Sequence, residues 1–143
     1  MAEFQVDGLT ELIQKLESDG LYSDEVAGEI LFAQADEMKS ETQKEMQKSP
    51  YDLDRISKKV GYTKKVKTDK DGVKYVTVSI KGKNERGERN ATVAFVLNYG
   101  RSAQYGAIRG GHFWTRANQR VQKRALAIAE KKAEEYYKSK GLI

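Results

Sequence analysis

The 143-residue chain contains no cysteine, one histidine (His112) and one proline (Pro50). Without cysteine it can form neither disulfides nor a thiolate zinc site, and it has no thiol nucleophile. One histidine cannot build a metal site alone. No apolar run approaches the roughly 20 residues of a membrane span, and residues 1–9 lack the features of a signal peptide. We therefore expect no membrane partner.

Motifs of catalysis and nucleotide binding are missing as well. The glycine-rich residues 106–111 lack the Lys-Ser/Thr ending of a phosphate loop and the spacing of a dinucleotide site. No Gly-x-Ser-x-Gly elbow is present. Asp52 and Asp54 follow Pro50 in a predicted turn, where solvated or capping carboxylates are common. We expect no enzyme activity and no cofactor.

Charge is abundant but unevenly distributed. The chain is 33% charged and 38% hydrophobic, with a net charge of +5. Residues 1–54 carry 4 basic and 14 acidic side chains, a balance of −10, and residues 55–143 carry 22 and 7, a balance of +15. This split indicates a nucleic-acid surface, faces that complement each other between subunits, or simply a solubilising surface.

The first third of the chain shows helical periodicity. Residues 3–6 alternate as in a short strand or extended arm. Leu9, Leu12, Ile13 and Leu16 then predict a short helix that ends at residues 19–20. A long helix follows from Ser23 or Asp24 to the Ser-Pro pair at 49–50, which stops it. Its predicted buried stripe is Ala27, Leu31, Ala35, Met38, Thr42 and Met46.

After Pro50 the period becomes two. We predict one strand over residues 56–68, a hairpin turn at 69–72 and a return strand over 73–81. The charged residues 83–90 predict a mobile loop. Residues 92–99 are apolar on both alternating faces, which favours a third, central strand.

A last helix is predicted over residues 113–139, with its buried stripe at Trp114, Ala117, Val121, Ala125, Ile128 and Tyr136. The chain is thus predicted to form one α+β domain over residues 1–143. A small antiparallel sheet of three to four strands would pack against two long helices, in the order α-α-β-β-β-α.

Basic residues crowd the predicted hairpin and the loops after it. Lysine-rich strands bind phosphate backbones without sequence preference, but lysines also keep exposed strand edges from aggregating. Phe113 and Tyr105 are candidate anchors for a neighbouring subunit. The candidate partner or channel contacts are Lys64, Lys65, Lys67, Lys83, Arg86, Arg89, Arg101, Tyr105, Arg109 and Phe113.

Three segments together resemble a known family. Residues 8–12 read Gly-Leu-Thr-Glu-Leu, residues 95–102 read Phe-Val-Leu-Asn-Tyr-Gly-Arg-Ser, and residues 113–117 read Phe-Trp-Thr-Arg-Ala. In this order the chain resembles the tail-completion, or tail-to-head joining, proteins of long-tailed bacteriophages, which are related to tail terminators. It departs from their pattern at residues 50–54, where a Pro-x-x-Thr-Gly-x-Leu segment is reduced, and at 106–111, where glycines replace Pro-Ala-x-Pro.

The resemblance implies a structural protein of the virion, made in the host bacterial cytoplasm. It would cap the tail tube and join it to the head connector, as a homo-oligomeric ring around the DNA channel. The free protein could be a monomer, and its basic residues could contact DNA without sequence preference. The competing hypotheses are a non-enzymatic, basic nucleic-acid-binding module and, with few acid–base candidates to support it, a small nuclease or toxin.

Overall fold

The structure, a computed structural model, describes residues 4–7, 14, 17–18, 20, 24–102 and 106–141. Within these ranges the helices are α1 Asp24–Gln47, α2 Asp54–Ser57, α3 Asn90–Tyr99 and α4 Phe113–Ser139. The strands are β1 Phe4–Asp7, β2 Val60–Tyr62, β3 Lys67–Thr68, β4 Lys74–Ile80, β5 Gly100–Arg101 and β6 Ile108–Arg109. The α+β class predicted from the sequence is confirmed.

The two long helices begin and end close to where the sequence predicts. Helix α1 carries Asp24 and Glu25 in its first turn, where negative charge suits the helix dipole, and it ends just before Pro50. Its predicted stripe from Ala27 to Met46 is buried. Of the predicted short first helix, Gln14, Glu17 and Ser18 are helical, whereas the apolar positions that predicted it lie outside the described residues.

Strand β4 is the centre of the main sheet. It pairs antiparallel with β1 along one edge and with β2 and β3 along the other. Its inward residues Val76, Val78 and Ile80 are buried against the helices. The predicted hairpin turn is present: Asp69 Oδ1 accepts the N–H groups of Asp71 and Val73, at 2.8 and 2.9 Å, and Gly72 has a φ of 81°.

The single strand predicted over residues 56–68 is wrong. Ile56 belongs to the helical turn α2, and the extended chain is divided into β2 and β3 by a bend at residues 63–66. Ile56 and Val60 are four residues apart and both are buried, which suits one turn of helix as well as alternate strand positions. Periodicity alone could not separate the two over so short a run.

The third strand predicted over residues 92–99 is also wrong, because this segment is helix α3. Ala91, Ala94 and Asn98 lie on its buried side, at helical spacing, and Phe95 and Tyr99 lie on its exposed side. A short, continuously apolar segment has no period of its own, so tertiary packing decides its conformation. The predicted order α-α-β-β-β-α therefore gains a helix and a two-stranded hairpin, β5–β6, in place of the third strand.

The buried stripe of α4 is partly shifted from the prediction. Trp114, Ala117 and Val121 are buried as predicted, in the core shared with the sheet. Beyond them the buried positions are Ala129, Ala133 and Tyr137, which form a second cluster with Val26 and Ile30 of α1. The predicted positions Ala125, Ile128 and Tyr136 are only half-buried. Here α4 packs against α1, and the buried residues follow steps of four.

A ladder of ion pairs joins α1 to α4, which run antiparallel. On α1, Glu37, Glu41 and Glu45 are spaced four apart, and they face Arg124, Arg120 and Arg116, spaced four apart on α4. The Arg116 Nε to Glu45 Oε2 distance is 3.0 Å, and the Arg124 Nη2 to Glu41 Oε2 distance is 3.1 Å. Part of the opposed charge in the two parts of the sequence is therefore paired inside one chain.

The ladder is buried on its acidic side. Glu45 is 1% exposed and Glu41 is 6% exposed, whereas the arginines are nearly half exposed at their side chains. Burial raises the pKa of Glu41. The hydrogen bond and charge of Arg124, with the charges of Lys44 and Arg120, outweigh that and hold its pKa below the ordinary value of 4.5.

We predict that removing arginines from the ladder costs more than removing the buried carboxylate of Glu45. Arg116→Met with Arg120→Met strands the buried Glu45 charge and should lower the free energy of unfolding by about 3–5 kcal/mol. Glu45→Gln leaves only half-exposed arginines and should cost about 1–2 kcal/mol. Urea unfolding at neutral pH measures both. In the triple variant, Glu45→Gln should restore part of the loss; a further loss there would contradict the ladder.

We also predict that Glu41 contributes to acid sensitivity. Because its folded-state pKa is lowered, its stabilising contribution is present above the ordinary pKa and is lost as pH falls through the folded-state value. The stability difference between the wild type and Glu41→Gln should therefore shrink as urea titrations move from pH 7 into acid. Glu134→Gln is the matched control: that carboxylate has a lowered pKa beside Lys138, but the pair is exposed, so its effect should be small.

Candidate interaction site

The amino end of α4 is capped by a side chain from another helix. Asn98 of α3 is fully buried, and its Oδ1 accepts the N–H groups of Trp114 and Thr115, at 2.9 and 3.4 Å. Its Nδ2 donates to Thr115 Oγ1 at 3.2 Å, and its backbone carbonyl accepts the N–H of His112 at 2.9 Å. His112, immediately before α4, provides no side-chain cap. Asn98 therefore satisfies helix-end donors that would otherwise lack partners.

Glycines allow the backbone to close this joint. A Cβ on Gly100, whose φ is 81°, would lie 2.5 Å from the carbonyl oxygen of Ile108. A Cβ on Gly110 would lie 2.7 Å from the carbonyl oxygen of Asn98. Neither position has room for a side chain. The hydroxyl of Tyr51 donates to the carbonyl of Arg109 and ties the β5–β6 hairpin to the segment after α1.

An aromatic pair stands on the outer side of α3. Phe95 is 41% exposed and Tyr99 is 51% exposed, and their ring centroids are 4.8 Å apart. No residue of α3 carries a charge. We call Phe95 and Tyr99 the aromatic ridge. Exposed aromatic groups on a rigid element are typical of protein interfaces.

The loop predicted between the sheet and the third strand instead connects β4 to α3. Asn84 organises it: its Oδ1 accepts the N–H groups of Arg86 and Glu88, at 3.0 and 2.9 Å, and its own N–H donates to the carbonyl of Glu88. Lys83 and Arg89 form an isolated bridge across the loop. The predicted contacts Lys83, Arg86 and Arg89 are all exposed, just before the amino end of α3.

The predicted strand lysines occupy a different side of the protein. Lys64 and Lys65 are exposed in the bend between β2 and β3, and Lys67 is exposed in β3. Strands β2 and β3 both pair with the same edge of β4, so these lysines lie along the outer margin of the sheet. Such a position suits either predicted role, binding phosphates or guarding an edge.

The remaining predicted contacts differ in whether they are exposed. Arg101 and Arg109 are exposed on the β5–β6 hairpin, and Arg101 Nε donates to the carbonyl of Gly106 at 2.7 Å. Phe113 is fully buried, so its predicted role as an anchor for a neighbouring subunit is wrong: the first residue of α4 faces the core. Tyr105 lies outside the described residues.

Sequence reasoning missed the aromatic ridge because it assigned residues 92–99 to a strand. The helical spacing of Ala91, Ala94 and Asn98 was the available signal: small or polar residues recur at steps of three and four beside Phe95 and Tyr99. That pattern is typical of a helix that packs closely on one side and presents bulky groups on the other.

Among the described residues, no group of three or more histidine, cysteine and acidic side chains is placed to hold a metal ion. His112 is exposed, with a φ of 53°. The helices in the described ranges are also either too short or too polar to span a membrane. The described residues on and beside α3 offer hydrophobic contact and guanidinium groups.

Comparison of the chain with protein-family models, with characterised proteins and with solved structures found no match in any of the three.

We predict that Asn98→Ala destabilises the protein through the cap. The substitution leaves buried N–H groups at the start of α4 without their acceptor and should cost about 1–3 kcal/mol in urea unfolding. Asn118→Ala is a matched control, since its side chain accepts a hydrogen bond from the exposed Gln122 and its loss should cost at most about 0.5 kcal/mol. Trp114→Ala should cost about 3–5 kcal/mol through lost packing. Equal costs for Asn98→Ala and Asn118→Ala would exclude the capping role.

Proposed function

We propose that this chain is a structural protein of the phage head–tail junction. As a subunit of a ring, it completes or caps the tail tube and joins it to the head connector. In this role it is a non-enzymatic component of the virion whose partners are the tail-tube and head-connector proteins. Of its possible places in a phage, this is the one that the resemblance in three sequence segments favours.

One observation supports the proposal most. Two of the segments that carry the resemblance, residues 95–102 and 113–117, meet at one joint, where Asn98 caps α4. The glycine at position 100 of the first segment has no room for a side chain at that joint. The sequence pattern thus coincides with one structural joint, which connects α3 to the start of α4 while the aromatic ridge remains exposed.

The surroundings of the ridge suit a protein partner. Arg86 and Arg89 precede α3 and Arg101 and Arg109 follow it, all exposed. Aromatic and arginine side chains are enriched at interfaces, where they contribute most of the binding energy. These four arginines are separate from the ion-pair ladder, so their charge is at the surface of the chain.

The alternative is a non-enzymatic module that binds nucleic acid. It is favoured by the exposed Lys64, Lys65 and Lys67 along the margin of the sheet. Such a surface would bind duplexes through their phosphates, without sequence preference and with strong dependence on salt. The two functions place the essential residues on different surfaces, the margin of the sheet or the surroundings of α3.

We predict that Arg86→Glu with Arg89→Glu leaves the fold intact but blocks the joining of tails to heads. Exposed loop charges contribute little to stability, and reversing them at a partner surface prevents docking. Thermal melts test the first part. Complementation of a phage that lacks this chain, scored by infectious particles and by separate heads and tails in electron micrographs, tests the second.

Two matched variants complete this experiment. Lys123→Glu with Lys138→Glu reverses the same amount of charge on the exposed side of α4 and should join normally. Lys64→Glu with Lys65→Glu reverses it on the margin of the sheet. Normal joining by the Arg86 and Arg89 variant would refute the role given to that loop. Loss of function only in the Lys64 and Lys65 variant would favour the nucleic-acid alternative.

A further inference from the structure

The protein has a second exposed surface, which is concave and carries acidic side chains, unlike the aromatic ridge. A groove runs between α1 and α4, with Phe32, Ala33 and Ile128 among its lining residues, each half-buried. We call it the α1–α4 groove. Its charged lining residues are Glu29, Asp36, Glu37, Glu135, Lys131 and Lys132. Glu29 is paired with Lys132 and Glu37 with Arg124, which leaves Asp36 and Glu135 against Lys131. The groove therefore combines apolar side chains with a small excess of acidic charge.

The ridge and the groove are complementary in charge. The ridge is two exposed aromatic rings on a helix without charge, with Arg86 and Arg89 before it and Arg101 and Arg109 after it. The groove offers apolar contact for the rings and, at Asp36 and Glu135, carboxylates outside these ion pairs for the guanidinium groups. Aromatic groups that fill a pocket supply most of the affinity in such contacts, and rim charges set orientation and the rate of encounter.

The two surfaces are too far apart for one molecule to bring them together. Asn98 fixes α3 beside Trp114 at the start of α4, whereas the groove reaches Ile128. These two positions of α4 are separated by roughly 21 Å along the helix axis, at about 1.5 Å per residue. A ridge can therefore enter a groove only if the groove belongs to another copy.

We propose that the aromatic ridge of one copy docks in the α1–α4 groove of the next. Such a contact is heterologous, because each copy contributes its ridge to one neighbour and its groove to another. Copies therefore add head to tail and form a ring when the rotation closes. The inference supplies the subunit contact of the proposed ring and rests on that proposed function. The partner of the ridge is thus a second copy of this chain.

Cysteine cross-linking tests this contact directly, because the chain has no cysteine of its own. One variant carries Thr92→Cys, which is exposed on α3 three residues before Phe95 and leaves both rings in place. Another carries Ala33→Cys in the groove. After mild oxidation of the purified proteins, the mixture should give heterodimers joined between positions 92 and 33. A chain with both substitutions should give a series of covalent oligomers, since each copy then carries one cysteine on each side of the contact.

Matched variants distinguish a specific contact from random collision. Leu126→Cys is the control for random collision, because Leu126 is 53% exposed on α4 and belongs to neither surface. Glu135→Cys is a second groove position, in case Ala33→Cys perturbs α1, and melts followed by circular dichroism check folding. In the double-cysteine chain, adding Phe95→Ser with Tyr99→Ser should abolish the covalent oligomers, since it removes both rings of the ridge.

Two outcomes would overturn the inference. One is that Thr92→Cys alone dimerises as fast as the mixture, which indicates a ridge-to-ridge contact. The other is that neither groove position, at 33 or 135, cross-links to Thr92→Cys faster than Leu126→Cys does. Either failure is distinct from failure of the junction role, because cross-linking uses pure protein and joining is scored separately in phage lysates.

Discussion

The pairing of α1 with α4 is the constraint on which the rest of the structure depends. Two carboxylates, Glu41 and Glu45, are buried between the helices, and a buried charge is tolerated only when a partner compensates it. The facing arginines of α4 provide that compensation. Since the acidic and basic residues recur every four positions on facing helices, a change of register by a single residue, with its rotation of about 100°, would turn them away from their partners.

That fixed register positions the interaction site. Helix α4 begins against the sheet, where Phe113 and Trp114 are buried in the main core, and Asn98 caps it there. The cap works in both directions, because it also holds α3 and therefore the aromatic ridge. A change in the ladder should thus reach the ridge through the start of α4.

The exposed surfaces follow from what the core does not use. From the sequence alone, an aromatic side chain near the glycine-rich loop is a candidate either for the core or for an interface. The structure buries both Phe113 and Trp114 in the core. Phe95 and Tyr99 are left outside, beside arginines that the ladder does not employ. A small domain that leaves two rings exposed on a rigid helix suits a protein that assembles, and the proposed junction ring gives those rings a place.

The sequence by itself determined the long helices, the hairpin at Asp69 and Gly72, and the α+β class, because these depend on local periodicity and turn chemistry. It also determined the uneven distribution of charge along the chain, though not which charges pair with each other. Only the tertiary structure decided that residues 90–99 are a helix, that Asn98 caps α4 and that much of the acidic charge of α1 is paired within the chain. Those outcomes depend on contacts between residues far apart in sequence. The spacing of Ala91, Ala94 and Asn98 is compatible with a helix, but in so short an apolar segment it does not exclude a strand.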